Sequence, residues 1–165
     1  MTEERRTSHK DLILWQKSMD LAVEVHRLAR QLPRHELFGL GNQLRRAAVS
    51  VPSNVAEGSA RRTTREFISF LHIARGSLAE LETQVLLARR LQYLDDASVR
   101  ALAPAVAEVG RLLNAVIRGL QRRLDSHFAS SPSAPSPPSP PSPPSPPSPP
   151  SPPSPPSPPS SPTNP

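Results

Sequence analysis

Three polar residues with helical spacing, Ser50, Asn54 and Glu57, surround Pro52 in the most distinctive segment of the sequence, residues 43–58. In a catalytic site, Glu57 would act as a general base and Asn54 would orient it. Neither a histidine nor a second carboxylate accompanies them in this segment, although acid–base catalysis normally draws on such a partner. We therefore predict that the protein is not an enzyme and that the three residues form a structural hydrogen-bond network. Ligand or RNA contact is the alternative.

One proline and two glycines interrupt helical patterns in and after this segment. Pro52 removes a backbone hydrogen bond and its ring crowds the carbonyl of Ala48, so we expect a bend of more than about 20° there. Gly58 ends the segment, and Gly76 lies inside a later pattern, where glycine costs about 1 kcal/mol relative to alanine. We expect Gly76 to offset this cost by letting its helix closely approach the small residues near Ala47.

Arginine supplies almost all of the positive charge. The chain has 20 basic and 14 acidic residues, a formal net charge of +6, and its only lysines are Lys10 and Lys17. Guanidinium groups bind phosphate and carboxylate in a bidentate manner. The candidate nucleic-acid-binding residues are Arg45, Arg46, Arg61, Arg62, Arg65, Arg111, Arg118 and Arg122. Since aromatic residues are scarce, binding through them should depend on charge and shape more than on base sequence. The alternative is that they are solvated or paired within helices, as Arg62 with Glu66 would be.

Cofactor and metal sites are not expected. The sequence has no cysteine, which excludes disulfides and thiolate metal sites. A di-iron site in a helical bundle requires a glutamate three residues before a histidine. The residues three positions before the histidines are Arg6, Val23, Leu32, Ser69 and Leu124. Glycine-rich phosphate loops, zinc-ligand spacings and nucleophile elbows are also missing from the sequence.

Four segments repeat apolar residues at steps of three and four, as amphipathic helices do. The first covers residues 11–32 and stops at Pro33, and the others follow over residues 40–55, 67–88 and 102–120. The gaps between them are short enough to require antiparallel neighbours. We therefore predict an all-α fold, an antiparallel up-down-up-down four-helix bundle.

The residues around Pro52 also carry a family resemblance. Residues 43–58, with residues 65–82 and 11–15, resemble the 23S rRNA intervening-sequence proteins, a family of small bacterial four-helix bundles. This family is similar in fold to the accessory variability determinant of diversity-generating retroelements. The resemblance covers residues 11–122. It implies the bundle architecture and a ring of five protomers, but no defined activity.

The start of the third helical segment has more apolar residues than one core face needs. Phe67, Ile68, Phe70, Leu71 and Ile73 fall within two turns. We predict that the surplus face forms a subunit interface and that the protein is a homo-oligomer. The alternative is a wider core inside one protomer.

The chain is expected to have three parts: a flexible N-terminus at residues 1–10, the bundle at residues 11–127, and a Ser/Pro-rich tail at residues 128–165. Ser-Pro-Pro repeats run through residues 135–159, which predicts a disordered tail of polyproline II character. Such a tail could be a spacer or a docking strip, or a tolerated DNA repeat expansion. No apolar run approaches the roughly 18 residues of a membrane span. We expect a cytoplasmic protein with no membrane contact and no signal peptide.

Together these features predict a non-enzymatic, oligomeric adaptor that binds structured RNA, or an RNA-bound protein, through arginine-rich surfaces. The alternative is a protein–protein scaffold with the tail as its partner arm and no role in nucleic-acid binding.

Overall fold

The computed structural model describes residues 8–129, and side-chain surroundings for residues 8–126. Within that range the chain forms four α-helices and no strand: α1 Ile13–Leu28, α2 Leu40–Ser59, α3 Thr64–Arg90 and α4 Asp96–Ala129. Short 3-10 turns cover His9–Asp11, Ala29–Gln31 and Arg34–Glu36. The predicted all-α four-helix fold is confirmed. The Ser-Pro-Pro repeats, and with them the predicted tail conformation, lie outside the described residues, as do residues 1–7.

Local side-chain hydrogen bonds fix where three of the helices begin. The Thr63 hydroxyl accepts from Glu66 N at 3.2 Å and the Glu66 carboxylate accepts from Thr63 N at 3.2 Å, a reciprocal cap for α3. At α2, Glu36 accepts from Leu40 N at 2.9 Å. At α4, Asp95 accepts from Ser98 N at 2.7 Å. These acceptors satisfy N–H groups that a helix leaves unpaired in its first turn.

The first helix is shorter than the sequence pattern predicts. α1 ends at Leu28, and Ala29–Gln31 continue as a 3-10 turn. Leu32 is extended, with φ −66° and ψ 150°. Pro33 explains this difference, because a proline disfavours the α conformation in the residue before it.

Cross-helix contacts show that neighbouring helices run antiparallel. In three neighbouring pairs, residue numbers rise along one helix as they fall along the other. The contacts are Lys17–Glu108 and Gln31–Ser98 between α1 and α4, Ser50–Ser77 and Gly58–Phe67 between α2 and α3, and Arg75–Asn114 and Arg89–Asp96 between α3 and α4. The start of α1, the α2–α3 turn and the C-terminal half of α4 therefore lie at one end of the bundle, here called the α2–α3 end.

The core is built from one apolar seam on each helix. Its most deeply buried side chains are Leu21, Val25, Leu44, Val51, Val55, Leu71, Leu81, Val109 and Leu113. Ser18 is also fully buried in the α1 seam, where its hydroxyl donates to the Leu14 carbonyl at 2.7 Å. This bond satisfies the one polar group that α1 places in the core.

The apolar start of α3 belongs largely to this core. Leu71 is fully buried and Ile68 is 9% exposed, while Phe67 and Phe70 are half-buried. Only Ile73 is largely exposed, at 53%. Phe67, Ile68 and Leu71 therefore pack in or against the core of a single protomer, as the alternative expected, while Phe70 and Ile73 stay available for the predicted interface.

The second helix continues through its proline. α2 is one α-helix from Leu40 to Ser59, with Pro52 buried inside it. Pro52 cannot donate to the Ala48 carbonyl, so one rung of the helix is open at this point. No helix in the described part of the chain is both long and apolar enough to cross a membrane.

Candidate functional site

The polar residues around Pro52 divide into two separate groups. Ser50 and Asn54 lie one turn apart on α2, and the Asn54 amide donates to the Ser50 carbonyl at 2.8 Å and to its hydroxyl at 3.1 Å. The Ser50 and Ser77 hydroxyls are 2.8 Å apart. Ser77 also donates to the Ile73 carbonyl at 3.1 Å. This network joins α2 to α3 with each hydroxyl already engaged, so it has the character of a structural contact.

Glu57 does not join the Ser50–Asn54 network. Its carboxylate pairs with Arg61 four residues later, and both side chains are about half exposed. The Arg61 guanidinium lies over the Phe70 ring, 4.6 Å from its centroid, a cation–π geometry. Glu57 and Arg61 therefore fasten the α2–α3 turn onto α3. This arrangement does not supply the histidine or second carboxylate that a general-base role of Glu57 would need.

The close approach of α2 and α3 occurs at Gly58 and not at Gly76. A Cβ atom at Gly58 would lie 2.6 Å from Phe70 Cβ and 2.8 Å from Phe67 Cδ2. A Cβ atom at Gly76 would meet nothing within 4 Å. The expected packing role of Gly76 is therefore wrong, and its neighbour Ser77 makes the contact to α2 instead. Gly58 lets the Phe67 ring and the Cβ atom of Phe70 lie against the α2 backbone.

Two of the candidate arginines lie near the start of α2. Arg45 is half-buried and donates to the Leu37 carbonyl at 2.6 Å, which ties the α1–α2 loop to the helix. Arg46 is exposed. Arg45 is 16 residues from Arg61 on the same chain, a separation of about 24 Å along a helix axis. Arg45 and Arg46 therefore do not cluster with the arginines that follow α2.

A second set of candidate arginines surrounds the α2–α3 turn. Arg61, Arg62 and Arg65 are all exposed. The predicted pairing of Arg62 with Glu66 is not observed among the described residues, because the Glu66 carboxylate caps the helix through Thr63. Arg61 has its own partners in Glu57 and Phe70. Arg62 is the arginine of this set whose guanidinium is most available to a ligand.

The third set forms a stripe on α4. Arg111, Arg118 and Arg122 are exposed, and spacings of seven and four place them on one face of the helix. Within the described residues no carboxylate lies within 4.0 Å of their guanidinium groups. Asn114, between them, accepts from Arg75 of α3 at 3.5 Å. The Arg75 guanidinium of α3 therefore lies beside the arginine stripe of α4.

A groove between α1 and α2, which sequence reasoning missed, is a mainly apolar concavity. It has a volume of about 610 Å³, and its walls include Trp15, Met19 and Val23 of α1 and Val49 and Pro52 of α2. Met19, Val23 and Val49 are 40%, 47% and 46% exposed. In the sequence, this groove could have been recognised from these apolar residues, because they lie outside the apolar seams of α1 and α2 that form the core. Among the described residues, no group of three His, Asp or Glu side chains could hold a metal ion.

Comparison with known proteins decides the family. The family model described as 23S rRNA-intervening sequence protein matches residues 10–115. The chain belongs to this family. Six of the candidate arginines fall inside the matched range of the 23S rRNA-intervening sequence protein family: Arg45, Arg46, Arg61, Arg62, Arg65 and Arg111. Arg118 and Arg122 lie beyond it.

A solved structure has the same fold. It is the crystal structure of a protein of unknown function from the S23 ribosomal protein family of Bacteroides thetaiotaomicron VPI-5482. It shares 24% identity with this chain, with a TM-score of 0.60, and the match covers 64% of this chain and 98% of that one. No curated protein matches the chain. Family and neighbour therefore establish the architecture, and neither indicates a catalytic function.

Proposed function

We propose that this protein is a non-enzymatic, oligomeric adaptor in the cytoplasm that binds structured RNA through the arginine surface at the α2–α3 end of the bundle. The observation that carries the proposal is the charge of α4 over residues 109–124. This stretch contains four arginines and no acidic residue. Three of them, Arg111, Arg118 and Arg122, form the exposed stripe without carboxylate partners among the described residues.

The antiparallel helix order adds to this charge. Residues 58–65 at the α2–α3 turn contain three further arginines and no acidic residue, and they lie at the same end as the C-terminal half of α4. An array of guanidinium groups along one edge can follow a phosphate backbone, and each phosphate contact releases condensed counterions. Duplex RNA is recognised mostly through its shape and its backbone. The surface needs no stacking aromatic residue for this kind of binding.

The alternative function is a protein scaffold without RNA binding. One observation favours it: Phe38, at the tip of the α1–α2 loop, is 93% exposed. The loop is held in place by the Arg45–Leu37 and Glu36–Leu40 hydrogen bonds. An exposed aromatic side chain on a fastened loop is suited to contact with another protein surface. The same residue supports the oligomeric part of the adaptor proposal.

The test of RNA binding is the salt dependence of affinity. We would titrate a structured RNA hairpin with the full-length protein and with a variant that carries Arg111→Gln, Arg118→Gln and Arg122→Gln. The salt concentration is varied from about 50 to about 200 mM, because electrostatic binding weakens by about 10³-fold or more over this range when several phosphates are contacted. We expect the variant to bind more weakly and its salt slope to flatten by up to about 0.9 for each phosphate that the variant no longer neutralises.

The matched control replaces Arg27, Arg30 and Arg34 by glutamine. These exposed arginines lie at the C-terminal end of α1 and in the loop that follows it, away from the α2–α3 end. The control removes the same charge, so its slope should stay close to that of the unmodified protein. If both triple variants flatten the slope equally, net charge and not the stripe determines binding. If the unmodified protein does not bind RNA at 50 mM salt, the scaffold alternative replaces the RNA-binding proposal.

A further inference from the structure

The first helix has a second apolar stripe beside its core seam. Trp15, Met19 and Val23 follow one another at steps of four, so they share one face of α1. Trp15 is half-buried, and Met19 and Val23 are exposed. All three line the α1–α2 groove, and Val49 of α2 lines it from the other helix. The core of the protomer therefore leaves this apolar surface uncovered.

The groove becomes basic toward the C-terminal end of α1. A second concavity of about 470 Å³ adjoins it there and shares His26 and Val49 with it. The basic side chains that line the two concavities are His26, Arg27, Arg30, Arg45 and Arg46. No aspartate or glutamate of the described residues lines either of them, and Glu24 lies beside Arg27 in a separate concavity between α1 and α4. The groove thus has an apolar end and a positively charged end.

Two of these arginines have guanidinium groups that are free to bind a ligand. Arg30 and Arg46 are exposed, and neither guanidinium makes a hydrogen bond or an ion pair to another of residues 8–126. Arg45, in contrast, already donates to the Leu37 carbonyl at 2.6 Å. A guanidinium group binds a carboxylate or a phosphate through two parallel hydrogen bonds. A ligand that extends from the apolar end to Arg30 and Arg46 therefore needs an anionic group.

The dimensions of the groove favour a small linear molecule. Its volume of about 610 Å³ falls within the range of about 300–1,000 Å³ that is usual for small-molecule sites. Trp15 and His26 are 11 residues apart, about 16 Å along the helix axis, so the groove is elongated. The apolar stripe covers only about two helical turns, whereas helices shorter than about 12 residues are marginal on their own. A bilayer is contacted by protruding apolar side chains and not by a concave surface.

We propose that the α1–α2 groove binds a linear amphipathic anion, an alkyl chain that ends in a carboxylate or a phosphate group. The alkyl chain lies along Trp15, Met19 and Val23, and the anionic group is bound by Arg30 and Arg46. Carboxylate and phosphate share the oxyanion chemistry that a guanidinium recognises. The groove lies between α1 and α2, whereas the arginine stripe is on α4, so this site is independent of the proposed RNA binding.

A series of ligands with one alkyl chain and different head groups tests the proposal. Trp15 is the only tryptophan of the chain, so its fluorescence reports on the apolar end of the groove. The full-length protein is titrated with dodecanoate, dodecyl phosphate, dodecanol and dodecyltrimethylammonium, each below the concentration at which it forms micelles. We expect both anions to change the Trp15 emission saturably and to bind about fivefold or more tightly than the alcohol, since exposed ion pairs contribute modestly. The cation should bind more weakly than the alcohol, and the tighter of the two anions identifies the preferred head group.

A matched pair of double variants tests the charged end. Arg30→Gln with Arg46→Gln removes two positive charges from the site and should lower the affinity for both anions to nearly that for dodecanol. Arg90→Gln with Arg100→Gln removes the same charge from exposed residues of α3 and α4 that line neither concavity. The anion affinity of this control should stay within about twofold of the unmodified protein, because exposed charges interact weakly beyond the Debye length.

A second pair tests the apolar wall. Val49→Asp places a carboxylate in the groove and should abolish anion binding, whereas Leu87→Asp changes a residue of α3 with nearly the same exposure, 45% against 46%, and should not. Circular dichroism checks that both variants keep their helices, and the arginine variants decide the question if Val49→Asp does not fold.

Several results would overturn the proposal. One is the absence of saturable binding by either anion, and another is a cation that binds as tightly as the anions. Equal effects of the two arginine variants would show that net charge and not the groove determines binding. The proposal also fails if the Trp15 emission of the protein without ligand changes with protein concentration and the anions leave this change unaltered, because a second copy of the chain then occupies the groove.

Discussion

Gly58 and Gly76 offer a matched pair at the scale of single residues. Gly58→Ala forces a methyl group against Phe67 and Phe70 at distances below 3 Å, so we expect it to destabilise the protein by about 1–3 kcal/mol. Gly76→Ala meets open space and should stabilise the helix by about 1 kcal/mol. Urea unfolding followed by circular dichroism measures both changes. A stabilising Gly58→Ala, or a Gly76→Ala that destabilises the protein, would contradict the packing described for α2 and α3.

Asp95 provides a prediction on pH dependence. The hydrogen bond from Ser98 N holds the pKa of its carboxyl below the ordinary value of 3.8. A lowered folded-state pKa means that the carboxylate's contribution is complete above pH 3.8 and is lost as the pH falls through the folded-state value. Asp95→Asn keeps a capping acceptor that does not titrate.

Thermal unfolding of Asp95→Asn and of the unmodified protein tests this role over a pH range of about 2 to 7, which brackets the ordinary carboxyl pKa of 3.8. We expect the difference in Tm between the two proteins to shrink or reverse in favour of the asparagine variant at the acid end. A difference that does not vary with pH would show that the Asp95 carboxylate adds nothing to the cap of α4. Because the side chain is exposed, the effect should be small.

The candidate site was only partly predictable from the sequence at this scale. Helical spacing placed Ser50 beside Asn54, since residues four apart share a face. It could not separate Glu57 from them, because the partner that captures Glu57, Arg61, lies in a turn whose path the spacing does not define. Gly58 and Gly76 differ only in which side of their helix meets a neighbour, and that depends on how the packed helices are rotated.

At the scale of elements, Pro52 interrupts the backbone hydrogen bonding inside α2. We expect the helix axis to bend by more than about 20° between Ala48 and Pro52, because proline is the usual cause of a sharp kink. Pro52→Ala restores the missing N–H and should straighten the helix and lengthen the Ser50–Ser77 contact from its 2.8 Å. Crystal structures of both proteins measure the bend and this distance. A straight α2 with Pro52 in place, or an unchanged contact in Pro52→Ala, would contradict the prediction.

The helices themselves were predictable because each buries one apolar seam with a period near 3.6, and Pro33 marks where the first one stops. The sequence left the role of residues 67–73 open for a related reason. A run with apolar residues on several faces fits either an interface or a helix start surrounded by its own core. Which applies depends on Gly58, which makes room for Phe67 and Phe70 inside the protomer.

At the scale of the whole molecule, Phe38 is the side chain through which we test the oligomer prediction. Light scattering on the full-length protein at micromolar concentration should give the mass of a homo-oligomer, with five subunits as the family resemblance implies. Phe38→Ser removes the most exposed large apolar side chain of residues 8–126 and should lower that mass. Ile13→Ser, at a position that is 63% exposed, serves as the control and should leave it unchanged. A monomeric unmodified protein would refute the assembly.

The uneven packing of the four helices has a consequence for the order in which the chain folds. α2 and α3 form the most extensive helix pair of the described residues, are joined by a turn of a few residues, and meet closely at Gly58. Closing this hairpin costs little chain entropy, whereas α1 and α4 can meet only after most of the chain between them is ordered. We expect the α2–α3 hairpin to form the folding nucleus and α1 and α4 to dock onto it later. Native-state hydrogen exchange should accordingly be slowest at the amides of the α2 and α3 seams.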